Sequence, residues 1–87
     1  MNLPLNIVIR KSAAKTLASL DAPTRGRMKE KIEGVAADSF NPTNSKPLKG
    51  TLKRSARVGD YRILVEIKEP NLLVDSIGPR GDIYRGV

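Results

Sequence analysis

The sequence contains no cysteine and no histidine. Without cysteine there is neither a disulfide framework nor a thiolate metal site. Without histidine, the common zinc ligand sets and any nucleophile that needs an imidazole base drop out as well. Asp and Glu together number 9 and are scattered singly, so no calcium or magnesium cage is expected. Long apolar runs are also missing. No stretch approaches the roughly 18 apolar residues of a membrane span, and the opening MNLPLNIVIRK, broken by Pro4 and Asn6, is too short for a secretory leader. The expectation is a soluble protein of the cytoplasm, without membrane contact or small-molecule cofactor. At 87 residues the chain makes one domain, 1–87. A domain this small buries only about 60–65% of the surface exposed when unfolded, which leaves a thin core.

What the chain does have is positive charge. Sixteen Lys and Arg against nine Asp and Glu give a net charge of +7, which favours a polyanionic partner. The distribution is more informative than the total. Lys46, Lys49, Lys53, Arg54, Arg57 and Arg62 fall within one segment that holds a single acid, Asp60. A solvated basic surface kept for solubility is the bland alternative, and clustering on one strand pair argues against it.

Residues 6–10 alternate, with Ile7 and Ile9 on one side and Val8 on the other, and predict a first strand. Ser12 is a reasonable N-cap for a short helix over about 13–20, with Ala13, Leu17 and Leu20 on one face. Asp21-Ala22-Pro23 ends that helix and starts the next, because proline suits a first helical turn. The second helix runs to about Ala37 and offers Met28, Ile32 and Val35 to the core. So short a connection predicts an antiparallel helix pair. Phe40 to Pro47, FNPTNSKP, has loop composition. Three strands follow, over roughly 52–58, 61–68 and 72–77. The order β-α-α-β-β-β predicts an α+β domain with a helical hairpin on one face of a mainly antiparallel sheet.

RVGDYR, Arg57 to Arg62, sits at the centre of the basic segment. Gly59-Asp60 has the chemistry of a type II′ turn. That turn sets Val58 opposite Tyr61, Arg57 opposite Arg62 and Lys53 opposite Glu66. Alternation then places Leu52, Ala56, Val58, Tyr61, Ile63, Val65 and Ile67 on a core face. Lys53, Ser55, Arg57, Arg62, Leu64 and Glu66 share the other face. Arg54 has core parity and is expected to snorkel at an edge, or the strand begins after it. Like charges directly opposed on a sheet cost on the order of a few tenths of a kcal/mol. An anion between the two arginines would offset that cost, whereas splaying into water would screen it. KEPN, Lys68 to Asn71, reads as a four-residue loop that sets Ile67 opposite Leu72 and Val65 opposite Val74.

The chain closes with IGPRGDIYRGV. Gly78-Pro79 stops strand pairing, since proline cannot donate to the ladder. Arg80 and Tyr84 follow. A tail tyrosine commonly packs its ring on the sheet edge; beside a guanidinium, it also suits a site that handles RNA.

Three segments, KPLKG at 46–50, RVGDYRILVEI at 57–67 and IGPRGDIYR at 77–85, together resemble the RelE/ParE superfamily of bacterial toxins, with similarity over nearly the whole chain. The resemblance implies the toxin of a type II toxin–antitoxin system, neutralised by a cognate antitoxin protein. RelE-like members are metal-independent endoribonucleases that cut mRNA on the ribosome and so inhibit translation. ParE-like members share the fold and poison DNA gyrase without cutting, and an inactive basic RNA- or ribosome-binding module is a third reading. Retention of Arg62, Arg80 and Tyr84 favours the RelE-like branch. By that resemblance Lys53, Arg57, Arg62, Arg80 and Tyr84 are the candidate catalytic residues. Lys46, Lys49, Arg54 and Arg85 are candidate RNA contacts from the charge pattern. Ser55 and Pro79 depart from the superfamily pattern, which commonly has a further basic residue and a His or Lys there. The general base stays open between Lys53, Tyr84 and Glu66, with Glu66 also placed to pair with Lys53 across the strands.

Overall fold

The computed structural model describes residues 4–39, 41–48, 50 and 52–79. The chain begins with β1 (Asn6–Ile9), followed by α1 (Lys11–Ser19) and α2 (Ala22–Ala37). Four strands complete it: β2 (Lys46–Pro47), β3 (Lys53–Val58), β4 (Tyr61–Lys68) and β5 (Asn71–Pro79). They form one sheet in the order β1-β5-β4-β3-β2, antiparallel except for the parallel pairing of β1 with β5. The α+β layout with a helical hairpin on one sheet face is as the sequence predicts. No helix among the described residues is long and apolar enough to cross a membrane.

The helices start for different reasons. The Asp21 side chain accepts a hydrogen bond from the Thr24 amide at 3.2 Å, capping α2, and a proline follows in the first turn. At α1 the expected Ser12 cap does not form, and the helix begins earlier, at Lys11, with Arg10 in the N-cap position. Arg10 directly follows β1 and caps the helix at once. Its amide donates to the Val74 carbonyl at 3.0 Å, and its carbonyl accepts from Ala14 at 2.9 Å. The helix therefore starts where the sheet ladder ends, without a side-chain cap.

The predicted core residues of both helices are buried: Ala13, Leu17 and Leu20 beside Met28, Ile32 and Val35. They cover Ala56, Ile63, Val65, Leu72, Val74 and Ile77 of the sheet, and Val58, Tyr61 and Ile67 pack at the margin. Leu52 does not join them. It lies in the bend before β3, beyond the last β3–β4 pair at Lys53 and Glu66, and is 85% exposed.

The last strand does not stop at Gly78-Pro79 as expected: β5 runs through both, which pair with Arg62 and Tyr61. Two further features of the sheet were not foreseen. The end of the 40–47 loop forms the short edge strand β2, pairing Lys46 with Ser55 and Pro47 with Arg54. Proline is tolerated there because an edge strand has one unpaired side. The second is a bulge. Val65 pairs with Val74 but Leu64 pairs with Ser76, so Asp75 is an extra residue in β5. The bulge brings Ile77 to the core, where strict alternation from Val74 would have pointed Ser76 inward. The β4–β5 connection is tighter than a four-residue loop, since Lys68 and Asn71 already pair across a two-residue Glu69-Pro70 turn. The expected pairs Ile67–Leu72 and Val65–Val74 both form.

Two measurements test this packing. Leu72→Ala should cost about 2–5 kcal/mol in urea unfolding, because Leu72 is fully buried in a strand with neighbours on both sides. The Asp21 carboxyl titrates below its ordinary 3.8, because the Thr24 side chain and then its amide hydrogen-bond the charged form. A depressed folded pKa gives stability that is present above the unfolded value and lost as pH falls through the folded one. Asp21→Asn should therefore flatten the melting temperature against pH below about pH 4.

Candidate functional site

The sheet face away from the helices is organised by the β3–β4 hairpin. Gly59 has φ +57, and no non-glycine residue among the described ones has positive φ. That combination at Gly59-Asp60 suits the II′ turn rather than I′, which needs positive φ at both central positions. The register is the expected one, with Val58 opposite Tyr61, Arg57 opposite Arg62 and Lys53 opposite Glu66.

Reading across the strands gives three rows. The row nearest the turn is Arg57, Arg62 and Gly78. The next is Lys46, Ser55, Leu64 and Ser76. The third is Lys53, Glu66 and Leu73. Leu64 is buried yet stands apart from the core cluster under the helices, as its parity requires. It is the apolar centre of a polar face.

Charge on this face is polarised. At the far end Lys53 Nζ lies 2.6 Å from one carboxylate oxygen of Asp75, and Arg10 Nε lies 2.5 Å from the other. Asp75 is the bulge residue, and its side chain is only 13% exposed. Nearby, Glu66 lies 3.8 Å from Lys68. At the turn end the situation reverses. Neither Arg57, Arg62 nor Lys46 has a carboxylate within ion-pair distance among the described residues. Arg57 Nε donates to the Gly59 carbonyl at 3.2 Å, which ties this arginine to the turn. Arg62 is half-buried, and its Nε is shielded from solvent with no hydrogen-bond partner among the described residues. A buried donor without an acceptor is costly, on the order of 1–3 kcal/mol. An anion at the hairpin would satisfy it.

The structure thus brings Lys46, Lys53, Arg57 and Arg62 onto one face. Arg54 lies on the opposite side, as its core parity implied. It stays within the strand by donating from Nε to the Ser45 hydroxyl at 2.8 Å and from Nη2 to the Ser45 carbonyl at 3.0 Å. This correction follows from simple alternation, since a residue between Lys53 and Ser55 cannot share their face. Lys49, Arg80, Tyr84 and Arg85 lie outside the described residues. Asp75 and Arg10 are the site residues that the sequence reading missed. Alternation from Val74 does put Asp75 on the basic face, but only the fold brings Lys53, 22 residues earlier, to its carboxylate. No group of three His, Cys, Asp or Glu side chains that could hold a metal ion occurs among the described residues.

With this geometry in hand, comparison with solved structures is informative. Toxin of the archaeal RelE–RelB complex from Pyrococcus horikoshii superposes with a TM-score of 0.77 at 23% identity, covering 92% of this chain and 99% of that one. The RelB–RelE complex from Methanococcus jannaschii gives a TM-score of 0.70 at 25% identity, over 88% and 94% of the two chains. The isolated RelE toxin of E. coli gives 0.76 at 20% identity, over 92% and 90%. No protein-family model and no curated protein matches the sequence. The chain has the RelE toxin fold.

The electrostatic division of the face can be checked directly. Asp75→Ala removes the acceptor shared by Lys53 and Arg10 and should lower stability by about 1.5–3 kcal/mol in chemical denaturation. Restoring an acceptor with Asp75→Asn should recover part of that loss.

Proposed function

We propose that this protein is the toxin of a type II toxin–antitoxin system, and that it acts as a ribosome-dependent mRNA endonuclease held in check by a cognate antitoxin protein. The observation that carries the reading is the Arg57–Arg62 pair: two guanidinium groups opposed on one sheet face, without carboxylate partners among the described residues, on the RelE fold. Likeness to toxins solved in complex with antitoxins supports the antitoxin partner.

In the proposed reaction, the ribose 2′-oxygen attacks the neighbouring phosphorus and the 5′-oxygen leaves. One fragment ends in a 2′,3′-cyclic phosphate and the other in a 5′-hydroxyl. Negative charge grows on the phosphate oxygens as the bond forms. Arg62, Arg57 and, from the tail, Arg80 offset it, and such stabilisation of developing charge is commonly the largest catalytic term. Guanidinium suits the task because its planar fork binds two phosphate oxygens at once. The 2′-OH requirement makes the substrate RNA rather than DNA.

Lys53 takes a different role from the arginines. Its ammonium already donates to Asp75 at 2.6 Å, so it contributes a fixed charge to the far end of the face, along which the RNA runs, and does not receive the 2′-OH proton. That proton passes to Glu66 or to the Tyr84 phenolate, and the departing 5′-oxygen takes a proton from water to become the 5′-hydroxyl. Alignment of the attacking and leaving oxygens is left to the ribosome, which holds the mRNA extended and removes much of the entropic barrier.

A reconstituted translation system with primer-extension mapping of the mRNA tests the proposal. Wild-type protein should produce discrete cuts within codons, and Arg62→Ala should lower the cutting rate by about 10²–10³-fold with little change in melting temperature. Intact mRNA together with inhibited DNA supercoiling would replace this reading with a gyrase poison.

A further inference from the structure

Beside the arginine pair the molecule carries a cleft of about 340 Å³, and its walls come from two places. One wall is the 42–46 loop with Lys31 behind it. The other is Ser55, Arg57 and Arg62 of the hairpin. Two properties distinguish it from an incidental groove. Among the described residues no carboxylate lines it, although nine acidic residues are spread through the chain. Its loop wall is also pinned in place. The Asn44 side-chain amide donates to the Gly34 carbonyl at 3.2 Å and the Asp38 carbonyl at 3.0 Å. Lys31 Nζ reaches the Thr43 carbonyl at 2.9 Å, and the buried Ser45 hydroxyl donates to the Ser39 carbonyl at 2.7 Å. These bonds consume the loop's own donors and fix its shape.

The donors that stay available belong to the hairpin side and the loop's last residue. Arg62 Nε is buried without an acceptor among the described residues. Among the described residues the Ser55 hydroxyl has no hydrogen-bond partner, and Lys46, its cross-strand neighbour, has no ion-pair partner. A guanidinium, a hydroxyl and an ammonium therefore line a cleft near the low end of small-ligand pocket sizes, about 300 Å³. The Pro42 ring also lines it, an apolar surface against which a base can pack.

We infer that this cleft seats the nucleotide of a single-stranded RNA that adjoins the cut phosphate, with its base against Pro42 and its own phosphate on Ser55 and Lys46, while Arg57 and Arg62 hold the cut phosphate itself. The inference rests on the nuclease reading for its choice of RNA, but the cleft can be tested without any cleavage. A preformed seat reduces the ordering cost of binding, so it would fix one nucleotide and thereby aim the adjoining linkage at the arginine pair. Ser55 and Lys46 are positioning residues in this scheme.

The test is a ¹H–¹⁵N NMR titration of the full-length protein with nucleoside 3′,5′-bisphosphates and, separately, with inorganic phosphate. The bisphosphates should move the amides of Asn44, Lys46 and Ser55. Ser55→Asp, which places a carboxylate in the cleft, should weaken their binding at least about tenfold. Ser55→Ala, the gentler change, should weaken it by about two- to tenfold, the range expected for one lost hydrogen bond. Unmoved cleft amides, or equal movement with inorganic phosphate at the same concentration, would overturn the inference. Cuts in the translation assay alongside unmoved cleft amides would sink the cleft alone. Nucleotide binding in the cleft with uncut mRNA would sink the nuclease reading alone.

Discussion

A two-residue turn leaves a hairpin no latitude in register, and Gly59 is the residue that permits one here. With φ +57 it occupies a backbone region that side chains disfavour. Once it does so, every pairing between β3 and β4 follows, and with it the face each side chain takes. Moving the register by a single residue would turn Ile63 and Val65 to solvent and bury the arginines instead. The core and the basic face are therefore two results of one constraint. The hydrophobic demand of Ile63, Val65 and Ala56 beneath the helices holds Arg57 against Arg62 despite their repulsion.

The face built this way has internal structure that its net charge conceals. Asp75 draws in Lys53 and Arg10 at one end, and the arginines at the other have no such acceptor among the described residues. Electrostatic potential is concentrated at the hairpin as a result. A polyanion would meet the strongest attraction beside the 42–46 loop, where the cleft also lies. Arg54 takes no part, being directed to Ser45 on the helix side. The number of basic residues in a segment thus overstates how many can reach one ligand. Strand parity sorts them.

Much of this was legible in the sequence because it depends on neighbours. The Gly59-Asp60 turn, the alternation of β4 and the helix positions Met28, Ile32 and Val35 are all local patterns, and each forms as expected. What escaped depends on residues distant in sequence. A two-residue strand at Lys46–Pro47 has no periodicity to detect and exists only because β3 offers it a ladder. The Lys53–Asp75 pair joins β3 to β5 across the sheet, and Glu66, the expected partner, was simply the acid that the hairpin register brought opposite. Leu52 looked like core by parity, but parity has meaning only where a strand is paired, and its pairing starts one residue later.

The extra residue in β5 has a bearing on chain length. Asp75 and Ser76 both stand against Leu64, so the ladder has one unit more than it uses there. A chain shortened by Asp75 alone would still present Leu72, Val74 and Ile77 to the helices, because ordinary alternation would then bring Ile77 inward. Backbone geometry and apolar packing place no requirement on that residue. What it adds to the fold is its carboxylate, the junction that ties Arg10 at the head of α1 and Lys53 of β3 to β5.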